Sequence, residues 1–205
     1  MEWDLLPDNY ILFLGRFSPE KNCHLLIRAF KKLNTTIKLV LAGGSSHSDG
    51  YVESLRRHES RNIRFLPWVS GDDLNELLSN AAVFVLPSAI EGLSLALPHA
   101  MAAGVCVLTS DIPENNEVVK GAGFTFQNGD ECDLERMLDL LVNNPQLRRQ
   151  SGARGRERIM GEYQWPLIAR RIEKAYYDVL GWKLPHEQLP RYATPTAEGQ
   201  QNQFT

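Results

Sequence analysis

Two cations and one carboxylate carry the chemistry open to this sequence: Arg16 and Lys21 in GRFSPEKN, and Glu91 in PSAIEGLSLALPHAMAAG. Gly15 permits a tight turn, and Arg16 and Lys21 then flank the entry to an apolar helical stretch. That pairing suits an anionic diphosphate, because a guanidinium grips two oxygens at once and an ammonium adds a mobile point charge. Spacing alone favours the plainer reading, two solvated surface cations. In the second stretch Glu91 and Gly92 occupy a turn after the run VFVL, and Ser94 can cap a helix reaching Ala103. Free N–H groups around Leu93, Ser94 and Leu95, with the positive end of that helix, would attract phosphate, though any strand-to-helix turn offers the same groups to water. Two further loops join the set. Gly43 and Gly44 in GGSSHS leave room for backbone to approach a flat ligand such as a base or ribose. Trp68 and Val69 in PWVS can lie near a base or simply pack.

The elements that must position these loops follow from hydrophobic pattern. Short apolar runs recur: YILFL (10–14), IKLVL (37–41), IRFL (63–66), VFVL (83–86), VCVL (105–108) and GFTF (123–126). Continuous apolarity without alternation marks strands buried on both faces. Between them lie helical patterns: Leu25, Leu26, Ala29, Phe30 and Leu33 after a candidate cap at Asn22, then Val52 and Leu55, then Leu74, Leu77 and Leu78. Alternating strands and helices predict right-handed βαβ units and a Rossmann-like, doubly wound parallel sheet of about six strands, class α/β. In such a sheet the ligand crevice lies at the carboxyl ends of the strands, where the four loops fall. From Asp130 the pattern is wholly helical, and these carboxyl-terminal helices should cover one side or edge of the sheet. Residues 182–205, rich in Pro, Gln and Thr, read as a disordered or loosely docked tail to a domain spanning 1–181.

Bulk properties exclude several classes. A net charge of −3 with scattered Lys and Arg gives no basic footprint for nucleic acid. The run RRQSGARGRER (148–158) reads as a solvated face rather than a membrane-binding one. Cys23, Cys106 and Cys132 have no C-x-x-C spacing and fit a reduced, cytoplasmic setting. There is no Walker loop, no G-x-G-x-x-G after a strand, no G-x-S-x-G elbow, no H-E-x-x-H, and no D-x-D pair. Protein cations rather than a metal are therefore expected to hold any diphosphate.

Taken together, ILFLGRFSPEKN and PSAIEGLSLALPHAMAAGVCVLTSDIPENNEVV resemble the carboxyl-terminal half of a GT-B fold in retaining glycosyltransferase family four, over Tyr10 to Leu180. The resemblance implies a nucleoside-diphosphate sugar as substrate, no further cofactor, Arg16 and Lys21 at the diphosphate, and N–H groups of Leu93 to Leu95 at phosphate or sugar. Glu91 matches the first carboxylate of the family's E-x7-E motif, beside the donor sugar; Glu117 is a further carboxylate at the crevice or simply at a helix start. The resemblance further implies an amino-terminal acceptor-binding domain, absent here, and an acceptor of glycan or lipid-linked glycan type, with peripheral placement at the inner membrane face as one option for the full-length protein. A noncatalytic or degenerate nucleotide-sugar-binding module is the alternative.

Where the family has its second Glu, which binds the ribose hydroxyls, this sequence has His99. A neutral imidazole exchanges one hydrogen bond where a carboxylate accepts two charge-assisted ones, so three accounts compete: a retuned ribose contact, a degenerate site, or a local shift that brings another group to the ribose. Pro98 would be the fourth residue of a helix capped by Ser94, predicting a distorted first turn; a helix starting nearer 97 would tolerate it.

Overall fold

The apolar runs form β1 (Tyr10–Leu14), β2 (Lys38–Ala42), β3 (Ile63–Leu66), β4 (Val83–Leu86), β5 (Cys106–Ser110) and β6 (Phe124–Phe126) of a computed structural model that describes residues 3, 5–44 and 49–182. They pair in parallel throughout, in the order β3-β2-β1-β4-β5-β6. All five residues of β1 and all four of β4 are buried, as their unbroken apolarity predicts. The chain leaves β1 in one direction to β2 and β3, then returns to pair β4 on the other side of β1. The loops after β1 and β4 therefore flank the topological switch point, where an open parallel sheet leaves its crevice.

Helices α1 (Cys23–Lys32), α2 (Asp49–Arg56), α3 (Gly71–Ser79), α4 (Ala96–Ala102), α5 (Pro113–Val119), α6 (Glu131–Val142) and α7 (Pro145–Glu162) follow in chain order. Helix α1 buries Leu26, Ile27 and Phe30 among others, and the Tyr10 hydroxyl, kept protonated by burial, donates to Leu77 O of α3 at 2.6 Å. Asp130 caps α6, accepting from Cys132 N and Asp133 N.

Three expectations need correction. Asn22 stands at the start of α1 with φ 53°, but its side chain caps nothing and instead donates to Pro87 O at 3.1 Å. The 148–158 run is a solvated face only in part: Arg149, Arg154 and Arg156 are exposed, but two of its arginines turn inward. Arg148 is buried, giving Nη1 to Leu141 O and Val142 O and Nη2 to Asp8, while Arg158 reaches Val118 O and Glu117 O. Gly152 lets α7 press on the main chain, since a Cβ there would sit 2.0 Å from Gly104 O. Finally, Glu117 lies in the last turn of α5, not at its start.

The chain divides after Gln164 into two compact units, so α8 (Trp165–Leu180), which the sequence reading placed in one domain with the sheet, is described by itself. It is an amphipathic helix without a buried residue, and Ile172, Tyr176, Leu180 and Trp182 line an apolar cleft of about 520 Å³. The tail read as disordered lies outside the described residues beyond Trp182. Among the described residues no helix is long and apolar enough to cross a membrane. Cys23, Cys106 and Cys132 are free; burial pushes the Cys106 thiol up to about 11 and the Cys23 thiol higher still.

Candidate functional site

At the switch point the 3₁₀ turn Pro19–Lys21 brings Lys21 against the loop after β4. Lys21 Nζ donates to Glu91 Oε1 at 2.6 Å, with the two side chains 15% and 6% exposed. Ser88 Oγ donates to the same oxygen at 2.7 Å. Oε1 thus carries two donors, while Oε2 has no partner among the described residues. Breaking such a pair strands a charge away from water, the costly direction for a buried ion pair.

The turn that carries Glu91 is fixed at three successive residues. Pro87 O accepts from Asn22 Nδ2 at 3.1 Å, Ser88 O accepts from Ser110 Oγ at 2.5 Å, and Ala89 N donates to Glu20 O at 2.8 Å. Ser110 Oγ in turn accepts from Asn115 Nδ2 at 3.0 Å. Of these residues, Ser88, Ser110 and Asn115 were not identified from the sequence. Ser88, a lone hydroxyl three residues before Glu91, carried a usable signal; Ser110 and Asn115 read as a strand end and a helix start.

A cavity of about 350 Å³ opens beside the pair, lined by Arg16, Lys21, Trp68, Glu91, Ser94 and Leu95 and floored by Gly15 and the end of β1. Arg16 is exposed and makes no hydrogen bond or ion pair with the described residues, so its guanidinium is uncommitted. Trp68 is 58% exposed. Val69, the other residue of that loop read as near a base, is partly buried and packs against the core.

The two glycines after β2 have work within the protein. At Gly43 (φ +147°) a Cβ would lie 1.9 Å from Gly15 O, and at Gly44 one would lie 2.5 Å from Trp68 Nε1. Gly15 N donates to Ala42 O and Phe17 N to Gly44 O, so the loops after β1 and β2 are stitched together, and the glycines are accounted for by that approach.

Beyond Glu91 the segment is open. Gly92, Leu93, Leu95 and His99 are exposed and Ser94 is half-buried. Ser94 does not cap the helix: α4 begins at Ala96 after Leu95. Pro98 is consequently third in the helix, in the first turn where an N–H has no partner to lose, and the expected distortion is unnecessary. With α4 only seven residues long, its dipole adds little to a phosphate site. His99 makes no side-chain hydrogen bond with the described residues.

A six-stranded parallel sheet with this order, and a cation- and carboxylate-lined crevice at its switch point, defines a Rossmann-like domain of the kind from which GT-B glycosyltransferases are built. Sucrose-phosphate synthase from Thermosynechococcus elongatus superposes with TM-score 0.77 at 25% identity, over 86% of this chain and 47% of its own. HepE from Anabaena, solved in complex with UDP and glucose, gives TM-score 0.77 at 18% identity over 83% and 48%. In sequence, glycogen synthase from Mycobacterium tuberculosis is 28% identical over 187 residues, 88% of this chain and 45% of the relative. The pattern of the glycosyl transferases group 1 matches residues 5–158, and the chain belongs to that family. It spans about half the length of the curated relatives it matches.

Proposed function

We propose that this domain binds a nucleoside-diphosphate sugar at the loops after β1 and β4. Together with an acceptor-binding domain outside these 205 residues, it transfers a hexosyl group with retention of configuration, in the cytoplasm and without a metal. The observation that carries the reading is the Lys21–Glu91 pair beside the uncommitted Arg16 around one cavity. Of the three N–H bonds of the Lys21 ammonium, one is directed to Glu91, which leaves two for phosphate oxygens. Arg16 supplies a fork for the same diphosphate. As the bond from sugar C1 to the leaving oxygen breaks, these cations stabilise the growing negative charge, while the sugar gains oxocarbenium character. Glu91, with Oε1 occupied, offers Oε2 to a sugar hydroxyl and acts as a holding group rather than a nucleophile. Trp68 offers an exposed ring near the base, the main-chain N–H groups of Leu93 to Leu95 lie by phosphate or sugar, and His99 replaces a carboxylate at the ribose with a weaker contact.

A degenerate, noncatalytic nucleotide-sugar module is the second reading, favoured by the exposure of His99 and its lack of any partner among the described residues. Calorimetric titration with UDP, GDP, ADP and their glucose conjugates decides between them. One conjugate is expected to bind the wild type, to bind Arg16→Ala at least about tenfold more weakly, and to bind His99→Glu more tightly by about 1–3 kcal/mol. No binding by the wild type with recovery in His99→Glu supports degeneracy; silence in both overturns the donor reading.

A further inference from the structure

We infer that Ser110 and Asn115 are positioning residues for Glu91, setting its carboxylate from β5 and α5 through the turn 87–91; the consequence for sugar binding rests on the donor-site reading above. Asn115 Nδ2 directs its hydrogens at Ser110 O (3.2 Å) and Ser110 Oγ (3.0 Å). Having accepted that bond, the Ser110 hydroxyl gives its only hydrogen to Ser88 O at 2.5 Å, so its direction is determined. The carbonyl so held belongs to the residue whose hydroxyl donates to Glu91 Oε1. The donors therefore run one way, from an amide on α5 to the carboxylate at the crevice. Asn115, Ser110 and Ser88 are 1%, 0% and 0% exposed, so water cannot replace a missing member.

Two features make this more than buried polar packing. The chain ends on the oxygen that also receives Lys21, so a shift of the turn moves the Glu91 carboxylate and loosens the Lys21 contact that reports on it, while the flexible lysine stem still reaches a diphosphate. Fixing Oε1 by two donors also fixes where Oε2 points, and catalytic groups lose effectiveness when held loosely by their supporting residues. Neither Ser110 nor Asn115 lines the cavity, so each acts through Glu91 rather than on a ligand.

The test pairs a ligand-free signal with a ratio of affinities, in wild type and Ser110→Ala, with Asn115→Leu as the second variant should the first not fold. In ¹⁵N-lysine-labelled protein the Lys21 ammonium protons are expected to be protected from exchange and to lose protection in Ser110→Ala. In parallel, the nucleoside diphosphate selected among UDP, GDP and ADP should keep its affinity within about twofold, while its glucose conjugate weakens by about three- to tenfold, the worth of one hydrogen bond. An unchanged Lys21 signal in a folded variant, or equal weakening of both ligands, overturns the positioning role. A wild type that binds no nucleotide, yet whose Lys21 signal depends on Ser110, keeps the positioning role and sinks the donor reading instead.

Discussion

Glu91 and His99 stand eight residues apart on one stretch of chain and are held in opposite ways. Glu91 is nearly buried, bonded to Lys21 and Ser88, on a turn tied to Asn22, Glu20 and Ser110. From Gly92 to His99 the chain is largely open, and no side chain there makes a hydrogen bond to a described residue. The difference separates two kinds of work. The end that would meet the reacting sugar is organised before any ligand arrives, which lowers the reorganisation needed at the transition state. The end that would meet the ribose is left to be organised by the ligand, which costs affinity at the moment of binding.

The largest expected effect strikes the organised end. Lys21→Met removes the partner of a carboxylate 6% exposed and should destabilise the domain by about 3 kcal/mol, read as a shift in the urea midpoint. His99→Ala, on an exposed side chain without a described partner, should stay within about 0.5 kcal/mol. Equal effects would erase the contrast between the two ends.

A smaller effect sharpens it through pH. Burial lowers the pKa of His24, on the helix that follows Lys21, with Arg28 adding to the shift; its Nδ1 lies 2.8 Å from the Tyr51 hydroxyl, whose own pKa burial raises to about 12. Burial and Lys31 likewise lower His58. Because the folded values lie below the ordinary 6.5, the unfolded chain binds more protons as pH falls through 6.5, and stability should decline there. The carboxyls of Glu20, held low by the Ser18 hydroxyl, and Asp133, held low by the Gln127 N–H, act in the same direction but in a lower window, losing their contribution only as pH falls below the ordinary values of 4.5 and 3.8. Melting temperature from pH 7.5 to 5.5 should therefore fall, and fall less in His24→Leu. An equal slope in that variant would show that His24 does not carry the pH dependence.

How much of this could be read in advance divides along the same line. The strands at 10–14, 63–66 and 83–86 are where unbroken apolar runs place them, since burial on both faces leaves no other pattern. Lys21 and Glu91 stand out as charges in turns after those runs, and the structure brings them together across seventy positions. What the residues did not disclose is the partnership of short polar side chains: Asn22 resembles a helix cap, and Ser110 and Asn115 a strand end and a helix start. Hydrogen-bond partners distant in sequence have no periodicity to betray them. The basic run on α7 misleads for a related reason, because Arg148 and Arg158 find main-chain acceptors that no charge count reveals.

The smallest expected effect asks whether the organised end extends one residue further along β5. Thr109 precedes Ser110, is fully buried, and its Oγ1 has no hydrogen-bond partner among the described residues. A buried hydroxyl without a partner keeps its desolvation cost and returns nothing, so Thr109→Val, of nearly the same shape and equally suited to a strand, should stabilise the domain by about 1 kcal/mol. For a domain of this size that is a rise of about 2–4 °C in melting temperature. Ser110→Ala, one position on, should go the other way, because it strands the Asn115 amide and the Ser88 carbonyl together. If both substitutions destabilise, Thr109 has a partner within the same chain of bonds and the supports of Glu91 reach deeper into β5. If Thr109→Val stabilises while Ser110→Ala does not, the chain begins at Ser110 and Asn115, and adjacent buried hydroxyls differ only in whether a carbonyl stands within reach.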